Sequence, residues 1–354
     1  MQSNKESKQE RSIRLLIQNP ASLGFGGGHV QALMYRKYLK QLGLDIDFVD
    51  FTDSKDDFDI LHILGMQAGN CLNGINARKR GKKIVLSSIF YTEANIPVYK
   101  LVSKIMGSGP LNFSQNRFSL MQRLVDASDS ILPNSNAEAE QLKRIFKIDE
   151  SKVMVVRNGI EPELFKGVDK NLFVNKFKIA SGFVLSVANI NRRKNTLNLI
   201  KAFLESGLNT TLVLIGSFNY EADAGYCADV KEIIGKSEGR ILHLENLHYG
   251  DEVLLSAYLN AKVHVLASIL ETPGLANLEA GLAGCNLVVG DCDPVREYFN
   301  DQVLYCKQSD ISDIKNKIIS AYNRASDNGL SEFVREKYSW LKIAGDIAGV
   351  YDSL

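Results

Sequence analysis

The segment Glu271-Thr-Pro-Gly-Leu-Ala-Asn-Leu-Glu279 places two carboxylates eight positions apart, with a Pro-Gly break between them. From Gly274 onward, large apolar residues alternate with small ones, which predicts a helix packed closely against a sheet. Pro273 fits the first turn of that helix, where its missing N–H is not needed. Glu271 is then expected in the loop before the helix, and Glu279 about two turns inside it.

The start of this predicted helix is suited to an anion. A helix N-terminus offers unpaired N–H groups and partial positive charge, both of which favour a phosphate. Glu271 and Glu279 could then bind hydroxyl groups on either side of that phosphate. The alternative is that Glu279 is a solvated helix residue and Glu271 an ordinary loop carboxylate.

The length and composition of the chain limit the classes of protein to consider. With 354 residues the chain exceeds one ordinary core, so two domains are expected. An apolar content of 45% and a charged content of 23% are typical of a globular protein. A net charge of +1 gives no reason to expect nucleic acid as a partner.

The cysteines and the hydropathy indicate a cytoplasmic location. The five cysteines are scattered and form no Cys-x-x-Cys pair, so they are expected to be reduced thiols. No apolar run approaches the ~18 residues that a membrane span needs. Residues 1–14 are polar and charged, without the apolar centre of a signal peptide.

The first half of the chain opens with an apolar run at residues 13–18, a glycine-rich turn and a helical pattern. This order is typical of a nucleotide-binding α/β domain. The dinucleotide fingerprint needs a third glycine at position 29, which is His29, so a nicotinamide cofactor is not favoured. Gly26, Gly27 and Gly28 either let a substrate approach the backbone or simply form a tight turn.

The strand–loop–helix pattern restarts after a candidate linker at residues 161–178. We therefore predict an α/β protein with two doubly wound, Rossmann-like domains that face each other across a cleft. The first is expected at residues 12–165, joined by a last helix at 340–354, and the second at 178–338. Ser135 followed by Glu138 also predicts a capping box at the start of a helix in the first domain.

Three consecutive cations, Arg192, Arg193 and Lys194, follow the first strand of the second half. Ligands of such sheets bind at the carboxyl ends of the strands. Arginine offers a diphosphate a planar fork and lysine offers it a point charge, although a solvated loop would also tolerate these residues. Because Glu271 and Glu279 belong to the same half, we favour a nucleotide diphosphate bound without metal.

Taken in order, these motifs resemble those of the retaining glycosyltransferases of family four, which have the GT-B architecture. The likeness covers nearly the whole chain, and its specific part is the match of Glu271 to Glu279 with the E-x7-E motif of the family. The other matching segments are Gly26–Gly28, residues 133–135, residues 155–160, Lys194-Asn195 and the last helix. Asp291-Cys-Asp293 is similar to the metal motif of another glycosyltransferase fold, but it lies late in the second half, and we expect no metal there.

The resemblance implies a nucleotide-sugar donor, with UDP or GDP as the nucleotide, held mainly by the second domain without a cofactor. Glu271 would contact the transferred sugar near its reacting carbon, while Arg193 and Lys194 would stabilise the departing diphosphate. The donor-binding residues that it implies are Gly26, Gly27, Gly28, Asn246, Leu247, Gly274, Leu275, Ala276 and Glu279. Among these, Glu279 would bind the ribose hydroxyls.

The acceptor implied by the resemblance is a glycan or a lipid-linked sugar bound by the first domain. The anomeric configuration would be retained, and the product would belong to a bacterial polysaccharide or glycolipid. The enzyme would be cytoplasmic, with contact to the inner face of the membrane left open. The chain departs from the family at Asn189, where an arginine is usual, and near Ser88, where a histidine is often found.

Two alternatives are kept beside this interpretation. One is an epimerase or hydrolase of the same GT-B architecture that acts on the sugar nucleotide alone. The other is a glycosyltransferase-like binding subunit without catalytic activity, for which these two departures are the only indications.

Overall fold

The computed structural model describes residues 11–17, 26–53, 57–92, 117–325 and 328–354. The chain divides into two compact units, one of Met1–Arg157 with Trp340–Leu354 and one of Asn158–Ser339. The candidate linker at residues 161–178 therefore belongs to the second unit and contains a short helix, Leu172–Phe177. Phe173 in that helix is fully buried, and its N–H donates to the Ser256 hydroxyl at 3.0 Å.

The first unit is a parallel sheet with helices, as the opening strand–turn–helix pattern predicted. Its described elements are β1 (Ser12–Leu16), α1 (Gly27–Gln41), β2 (Asp45–Phe48), β3 (Ile60–Leu64), α2 (Ala68–Lys79), β4 (Lys83–Ser87), α3 (Arg117–Ala127), β5 (Ser130–Ile131) and α4 (Asn136–Phe146). The strand order is β2-β1-β3-β4-β5, and every pairing is parallel. β3 is buried along its whole length, which is typical of a parallel sheet covered on both faces.

The second unit repeats this plan with a larger sheet. Its described elements are α5 (Leu172–Phe177), β6 (Phe183–Val187), α6 (Thr196–Glu205), β7 (Leu212–Ile215), α7 (Tyr220–Gly235), β8 (Ile241–Leu244), α8 (Glu252–Asn260), β9 (Ala261–Leu266), α9 (Leu275–Leu282), β10 (Asn286–Gly290), α10 (Asp293–Phe299), β11 (Leu304–Cys306), α11 (Ile311–Asn323) and α12 (Gly329–Lys337). The strand order is β11-β10-β9-β6-β7-β8, again parallel throughout. The prediction of two doubly wound α/β domains is confirmed.

The last helix, α13 (Trp340–Asp352), belongs to the first unit. The fully buried Trp340 ring meets the Tyr35 ring of α1 edge-on, with 6.0 Å between their centroids. Aromatic pairs in this geometry contribute stability beyond the area that they bury. The apolar face of α13 therefore forms part of the core of the first unit.

Each sheet has a point at which the strand order reverses, and ligands of doubly wound sheets bind there. In the first unit, β1 lies between β2 and β3. In the second unit, β6 lies between β7 and β9, so the loops that leave β6 and β9 are neighbours at the carboxyl edge. These two loops carry Arg192, Arg193, Lys194 and Glu271.

Two further sequence predictions concern thiols and membrane spans. All five cysteines are free thiols, and four of them are buried. Among the residues that the structure describes, no helix combines the length and the apolar character needed to cross a bilayer.

Candidate nucleotide-sugar site

The loop that follows β6 is held in place by two asparagines. Asn191 accepts the Lys194 N–H at 3.1 Å through its side-chain oxygen and so begins a short 3₁₀ turn, Arg192–Lys194. Asn195 follows in the left-handed conformation at φ +58°, which asparagine tolerates better than most residues. The Asn195 side-chain amide donates to the carbonyls of Ala267 at 3.0 Å and Gln308 at 2.8 Å.

Backbone contacts join this loop to the loop that follows β9. The Ile269 N–H donates to the Arg193 carbonyl at 2.8 Å. In return, the Arg193 guanidinium donates to the Leu270 carbonyl at 2.8 Å. These two hydrogen bonds fix the position of one loop relative to the other and therefore where their side chains meet.

The side chains that meet are Lys194 and Glu271. The Lys194 ammonium is bonded to Glu271 Oε2, and Arg193 Nη1 lies 3.8 Å from Glu271 Oε1. The Ser268 hydroxyl donates to Glu271 Oε2 at 3.3 Å. The structure therefore brings together all three residues predicted to be catalytic.

This cluster combines buried charge with one accessible cation. The side chains of Lys194 and Glu271 are 14% and 11% exposed, whereas that of Arg193 is 50% exposed. Burial acts to raise the pKa of Glu271, but the charges of Lys194 and Arg193 outweigh it and hold this pKa below its usual value. Burial lowers the pKa of Lys194, and the Glu271 carboxylate opposes that change. The Lys194 ammonium and the Glu271 carboxylate thus each favour the charged form of the other.

Helix α9 begins directly after this cluster. Gly274 precedes it at φ +80°, and a Cβ there would lie 3.0 Å from both Asn277 Nδ2 and Glu271 Cγ. Any other residue would be strained and crowded at this position. The helix therefore begins at Leu275, and the prediction that Pro273 occupies its first turn is wrong, because the left-handed glycine interrupts the chain between them.

The predicted amide donors lie at this helix start. Leu275 and Ala276 are its first two residues, and such N–H groups have no carbonyl partner within their own helix. Glu279 is the fifth helical residue, so it lies just over one turn inside rather than about two turns.

Glu279 has surroundings unlike those of Glu271. It is 6% exposed, and its Oε2 accepts the hydroxyl hydrogen of the fully buried Tyr258 at 2.6 Å. Burial raises the pKa of Glu279 to about 7, and the Tyr258 hydrogen bond only partly opposes this rise. Glu279 is therefore a carboxyl group poised near neutrality, paired with a hydroxyl rather than with a cation.

Arg192 does not join the cluster. Its guanidinium lies 2.8 Å from the Asp223 carboxylate and 5.2 Å from the centre of the Tyr226 ring. This places it against α7, where its side chain is 68% exposed. The run of three cations is thus divided, with only Arg193 and Lys194 directed at Glu271.

Asn246 and Leu247, predicted to meet the base, follow β8 at the same carboxyl edge. β8 is two strands from β6 in the sheet. Asn246 is exposed and left-handed at φ +61°. Gly216 follows β7, the strand beside β8. A Cβ on Gly216 would lie 2.0 Å from the carbonyl oxygen of Ala188, which follows β6.

In the acidic pair Asp291 and Asp293, the first carboxylate is paired with an arginine. The Asp291 carboxylate accepts two hydrogen bonds from Arg296, at 2.5 and 2.7 Å. Within the described ranges, no group of three or more His, Cys, Asp or Glu side chains is placed to hold a metal ion.

The glycines predicted in the first unit lie where α1 begins. Gly26 is extended and precedes the helix, while Gly27 and Gly28 are its first residues. Among the described residues, a Cβ on Gly26 would meet no atom within 4 Å, and one on Gly28 would make ordinary contacts with Ile89 at 3.7 Å and Ile17 at 3.9 Å. The described residues therefore do not account for glycine at either position.

Sequence reasoning did not predict the long-range contacts of Glu138. Half of the predicted capping box is present, because the Ser135 hydroxyl accepts the Glu138 N–H at 3.0 Å. The Glu138 carboxylate, however, is fully buried and contacts Ser88, Phe90 and Asn134 instead of completing the box. A glutamate after the Pro-Asn-Ser motif was a visible signal, but its long-range partners were not.

The histidine that the family often carries near Ser88 is absent from the sequence, and the nearest histidine in the sheet has a structural role. His62 in β3 is fully buried, 2.6 Å from the Tyr351 hydroxyl and 2.9 Å from the Ser87 hydroxyl. Burial lowers its pKa to about 3, so the ring is neutral. Its contacts join β3, β4 and α13 within the core.

The sequence of the second unit matches a known family model. The model described as glycosyl transferases group 1 matches residues 168–336. An uncharacterized glycosyltransferase of Methanocaldococcus jannaschii is 28% identical over 242 residues, which are 63% of this chain and 60% of that protein. These matches support a glycosyltransferase.

A second curated relative has a more specific name. The N-acetylgalactosamine-N,N'-diacetylbacillosaminyl-diphospho-undecaprenol 4-alpha-N-acetylgalactosaminyltransferase of Campylobacter jejuni is 24% identical over 273 residues. The aligned part is 76% of this chain and 64% of that enzyme. This chain thus spans less than two thirds of the length of both curated relatives.

Among solved structures, HepE from Anabaena, crystallised with UDP and glucose, has the same fold. The alignment covers 97% of this chain and 100% of that one, with a TM-score of 0.73 and 15% identity. Together with the two Rossmann-like domains, this likeness identifies the fold as GT-B.

Proposed function

We propose that the chain is a retaining, metal-independent glycosyltransferase that moves a sugar from a nucleotide-sugar donor to a glycan or a lipid-linked acceptor. The observation that carries this proposal is the meeting of Arg193, Lys194 and Glu271 at the reversal point of the second sheet, beside the start of α9. Cations and a helix start at this edge suit a diphosphate.

Binding of the donor would change the partner of Lys194. The Lys194 ammonium is hydrogen-bonded to the Glu271 carboxylate. A diphosphate placed between Arg193 and the first amides of α9 would compete for that ammonium, because phosphate oxygens accept charge-assisted hydrogen bonds as carboxylates do. Glu271 would then turn to the hydroxyls of the sugar, close to the carbon at which the bond breaks.

The cations would also act in the chemical step. As the bond between sugar and phosphate breaks, negative charge grows on the departing diphosphate. The loop contacts hold the Arg193 side chain and the Lys194 backbone beside this position, so that both cations would stabilise the charge once Lys194 has exchanged Glu271 for the diphosphate. Preorganised groups of this kind contribute roughly 10²–10³ in rate each.

Glu279 would bind the ribose. Its carboxyl group is buried next to Tyr258 and is therefore fixed in orientation. Asn246 and Leu247 would meet the base from the neighbouring edge of the same sheet, and Gly26 to Gly28 would let the donor or acceptor approach the first unit. UDP is the favoured nucleotide, because HepE, which shares the fold, was crystallised with UDP, with glucose and with UDP-glucose.

The relatives also bear on the acceptor and the location. The Campylobacter enzyme is named for a diphospho-undecaprenol substrate, which supports a lipid-linked sugar as the acceptor here. Such an acceptor would bring the enzyme to a membrane surface, and the nucleotide-sugar donor would place it on the cytoplasmic side, in polysaccharide or glycolipid synthesis. The resemblance of the motifs supports two further parts of the proposal, namely membership of glycosyltransferase family four and retention of the anomeric configuration.

The test is a transfer assay with the full chain. Purified protein is incubated with a panel of UDP- and GDP-sugars and a polyprenyl diphosphate that carries one N-acetylated sugar. We expect nucleotide release that depends on the acceptor, an unchanged rate in EDTA, and an NMR spectrum of the product showing the same anomeric configuration as the donor.

Two controls separate the alternatives. Glu271→Gln should abolish transfer, whereas Glu232→Gln on the exposed face of α7 should not. Rapid hydrolysis or epimerisation of the donor without acceptor would favour an enzyme that acts on the sugar nucleotide alone. Binding of UDP without turnover of any donor would favour a non-catalytic subunit.

A further inference from the structure

The first unit contains a buried carboxylate to which the proposed reaction gives no role. Glu138 Oε1 accepts the Ser88 hydroxyl at 2.5 Å and the Phe90 N–H at 2.8 Å. Its Oε2 accepts the Asn134 N–H at 2.9 Å. Burial raises the pKa of Glu138 to about 7, with these hydrogen bonds in opposition. A buried carboxyl group costs free energy, so its contacts call for an explanation.

A second side chain of α4 holds the same segment. Gln141, one turn after Glu138, accepts the Thr92 N–H at 2.9 Å and donates to the Thr92 carbonyl at 2.5 Å. Glu138 and Gln141 therefore hold alternate residues, 88, 90 and 92, of the chain that leaves β4. These residues lie at the carboxyl edge of the sheet, where doubly wound domains bind their ligands.

The held segment is strained at its centre. Ile89 has φ +44°, a conformation that is rare for a β-branched residue. Such strain persists only where the surrounding contacts enforce it, and it occurs most often at functional sites. On either side of Ile89, Ser88 and Phe90 are both bonded to the one Glu138 oxygen, which accounts for the enforcement.

The strained residue faces the glycine-rich start of α1. The Ile89 Cδ1 atom lies 3.7 Å from where a Cβ on Gly28 would be. Phe90, by contrast, packs into the core against Phe146, with 5.8 Å between the ring centroids. The contacts of Glu138 thus fix the core side of the segment and place Ile89 beside the start of α1.

The polar groups joined to Glu138 are neutral. Gln31 of α1 donates to Asn134 at 3.2 Å and to the Tyr35 hydroxyl at 2.7 Å. These hydroxyl and amide groups are buried, so they support the start of α1 and the Glu138 segment from within the core, whereas the second unit supplies cations for a diphosphate.

On the basis of the proposed function, we infer that Glu138 is a positioning residue for the acceptor. Its carboxylate holds Ser88 to Phe90 so that Ile89 and the start of α1 shape the surface on which the hydroxyl-bearing sugar of the acceptor lies. Glu138 acts through this segment and does not touch the reacting atoms.

The test compares Glu138→Gln with Glu140→Gln in the full chain. Glu140 lies on the exposed face of the same helix, and its carboxylate is bonded to Lys143 at 3.2 Å. The amide introduced by Glu138→Gln can accept only one of the two backbone N–H groups that the carboxylate accepts. We expect the KM for the polyprenyl-diphosphate sugar to rise at least tenfold, the KM for UDP-glucose to change less than twofold, and Glu140→Gln to match the wild type.

Hydrogen exchange supplies a second readout that does not depend on turnover. Exchange at the Phe90 or the Asn134 amide, whichever loses its acceptor, should be at least tenfold faster in Glu138→Gln, and exchange at both should be unchanged in Glu140→Gln. If Glu138→Gln fails to fold, Ser88→Ala takes its place. It removes the hydroxyl bond to Glu138 but keeps both backbone bonds, and it should raise the KM for the acceptor by about threefold.

The outcomes separate the two proposals. Wild-type transfer with an unchanged acceptor KM in Glu138→Gln, or unchanged exchange at both Phe90 and Asn134, would overturn the role of Glu138 and leave the glycosyltransferase proposal standing. Equal rises in the KM values of donor and acceptor would also overturn it, because they indicate general disruption. Absence of transfer by the wild type would overturn the proposed function itself.

Discussion

Glu138 in the first unit and Glu271 in the second are both buried carboxylates near the carboxyl end of a parallel strand, yet their surroundings are opposite. Among the described residues, the Glu138 carboxylate accepts hydrogen bonds from one hydroxyl and two backbone N–H groups, and burial raises its pKa to about 7. Glu271 is bonded to Lys194 with Arg193 nearby, and these charges lower its pKa despite burial. One fold plan, used twice, thus provides a neutral edge and a charged edge.

The difference shows that the nearest partner, rather than burial, decides the charge of a carboxyl group. Glu279 lies in the helix that follows Glu271 and is also largely buried, but its carboxyl group is paired with the Tyr258 hydroxyl instead of a cation. Its pKa of about 7 resembles that of Glu138, in the other unit, more than that of its neighbour in sequence. The E-x7-E spacing therefore contains two chemically different acids.

The largest expected effect is at the charged edge. Lys194→Ala removes the cation that neutralises Glu271 and that would stabilise the departing diphosphate. We expect kcat with saturating nucleotide sugar to fall by roughly 10²–10³. Lys236→Ala, which removes an exposed lysine paired with Glu232, is the matched control. A fall of less than threefold in Lys194→Ala would mean that the charged edge is not the catalytic one.

A smaller effect tests whether Glu279 belongs with Glu138 rather than with Glu271. The pKa of Glu279 is about 7 in the folded chain and close to the ordinary 4.5 when unfolded. Between those pH values the folded state binds the extra proton, so its contribution to stability is present below about pH 4.5 and is lost as the pH rises through about 7. Glu279→Gln should abolish that loss, which is on the order of 2–3 kcal/mol.

The measurement is the difference in free energy of unfolding between Glu279→Gln and the wild type, from urea titrations at pH 4.5 to 8. Taking the difference removes the similar contribution of Glu138, which is present in both proteins. The curves should diverge in favour of the variant as the pH rises. Parallel curves would show that Glu279 is ionised throughout, as Glu271 is.

The smallest effect separates two neighbouring arginines. Arg193→Ala should weaken UDP binding about tenfold, or ~1.4 kcal/mol, because a charge-assisted bond to the diphosphate is lost. Arg192→Ala should change it less than twofold, since this exposed side chain is paired with Asp223 and such pairs contribute little. Calorimetry with UDP measures both. Equal losses would mean that Arg192 swings back to the ligand.

Much of the fold was predictable from local pattern. The alternation of short apolar runs with helical periods identified two doubly wound domains, because each unit repeats strand, turn and helix. The loop position of Glu271 and the start of a helix near Gly274 were also visible, since glycine and proline act locally. The sequence pattern predicted Pro273 in the first turn of that helix, whereas it lies in the preceding loop. The positive φ of Gly274 separates Pro273 from the helix.

The composition of the site could not be obtained in this way. Lys194 and Glu271 are 77 positions apart, and they meet because β6 and β9 are neighbours in the sheet although two other strands and three helices separate them in sequence. Arg192 was grouped with Arg193 on sequence adjacency, but successive residues of a tight turn point in different directions. The contacts of Glu138 with Ser88, 50 positions away, were equally invisible.

The sequence by itself determined the periodicity, the loop chemistry and hence the two Rossmann-like domains, because those depend on residues close together in the chain. The tertiary structure alone decided which acid has a raised pKa and which a lowered one. That choice depends on whether strand order brings a cation or a hydroxyl to within hydrogen-bonding distance of the carboxylate, and on how much water the surrounding core excludes.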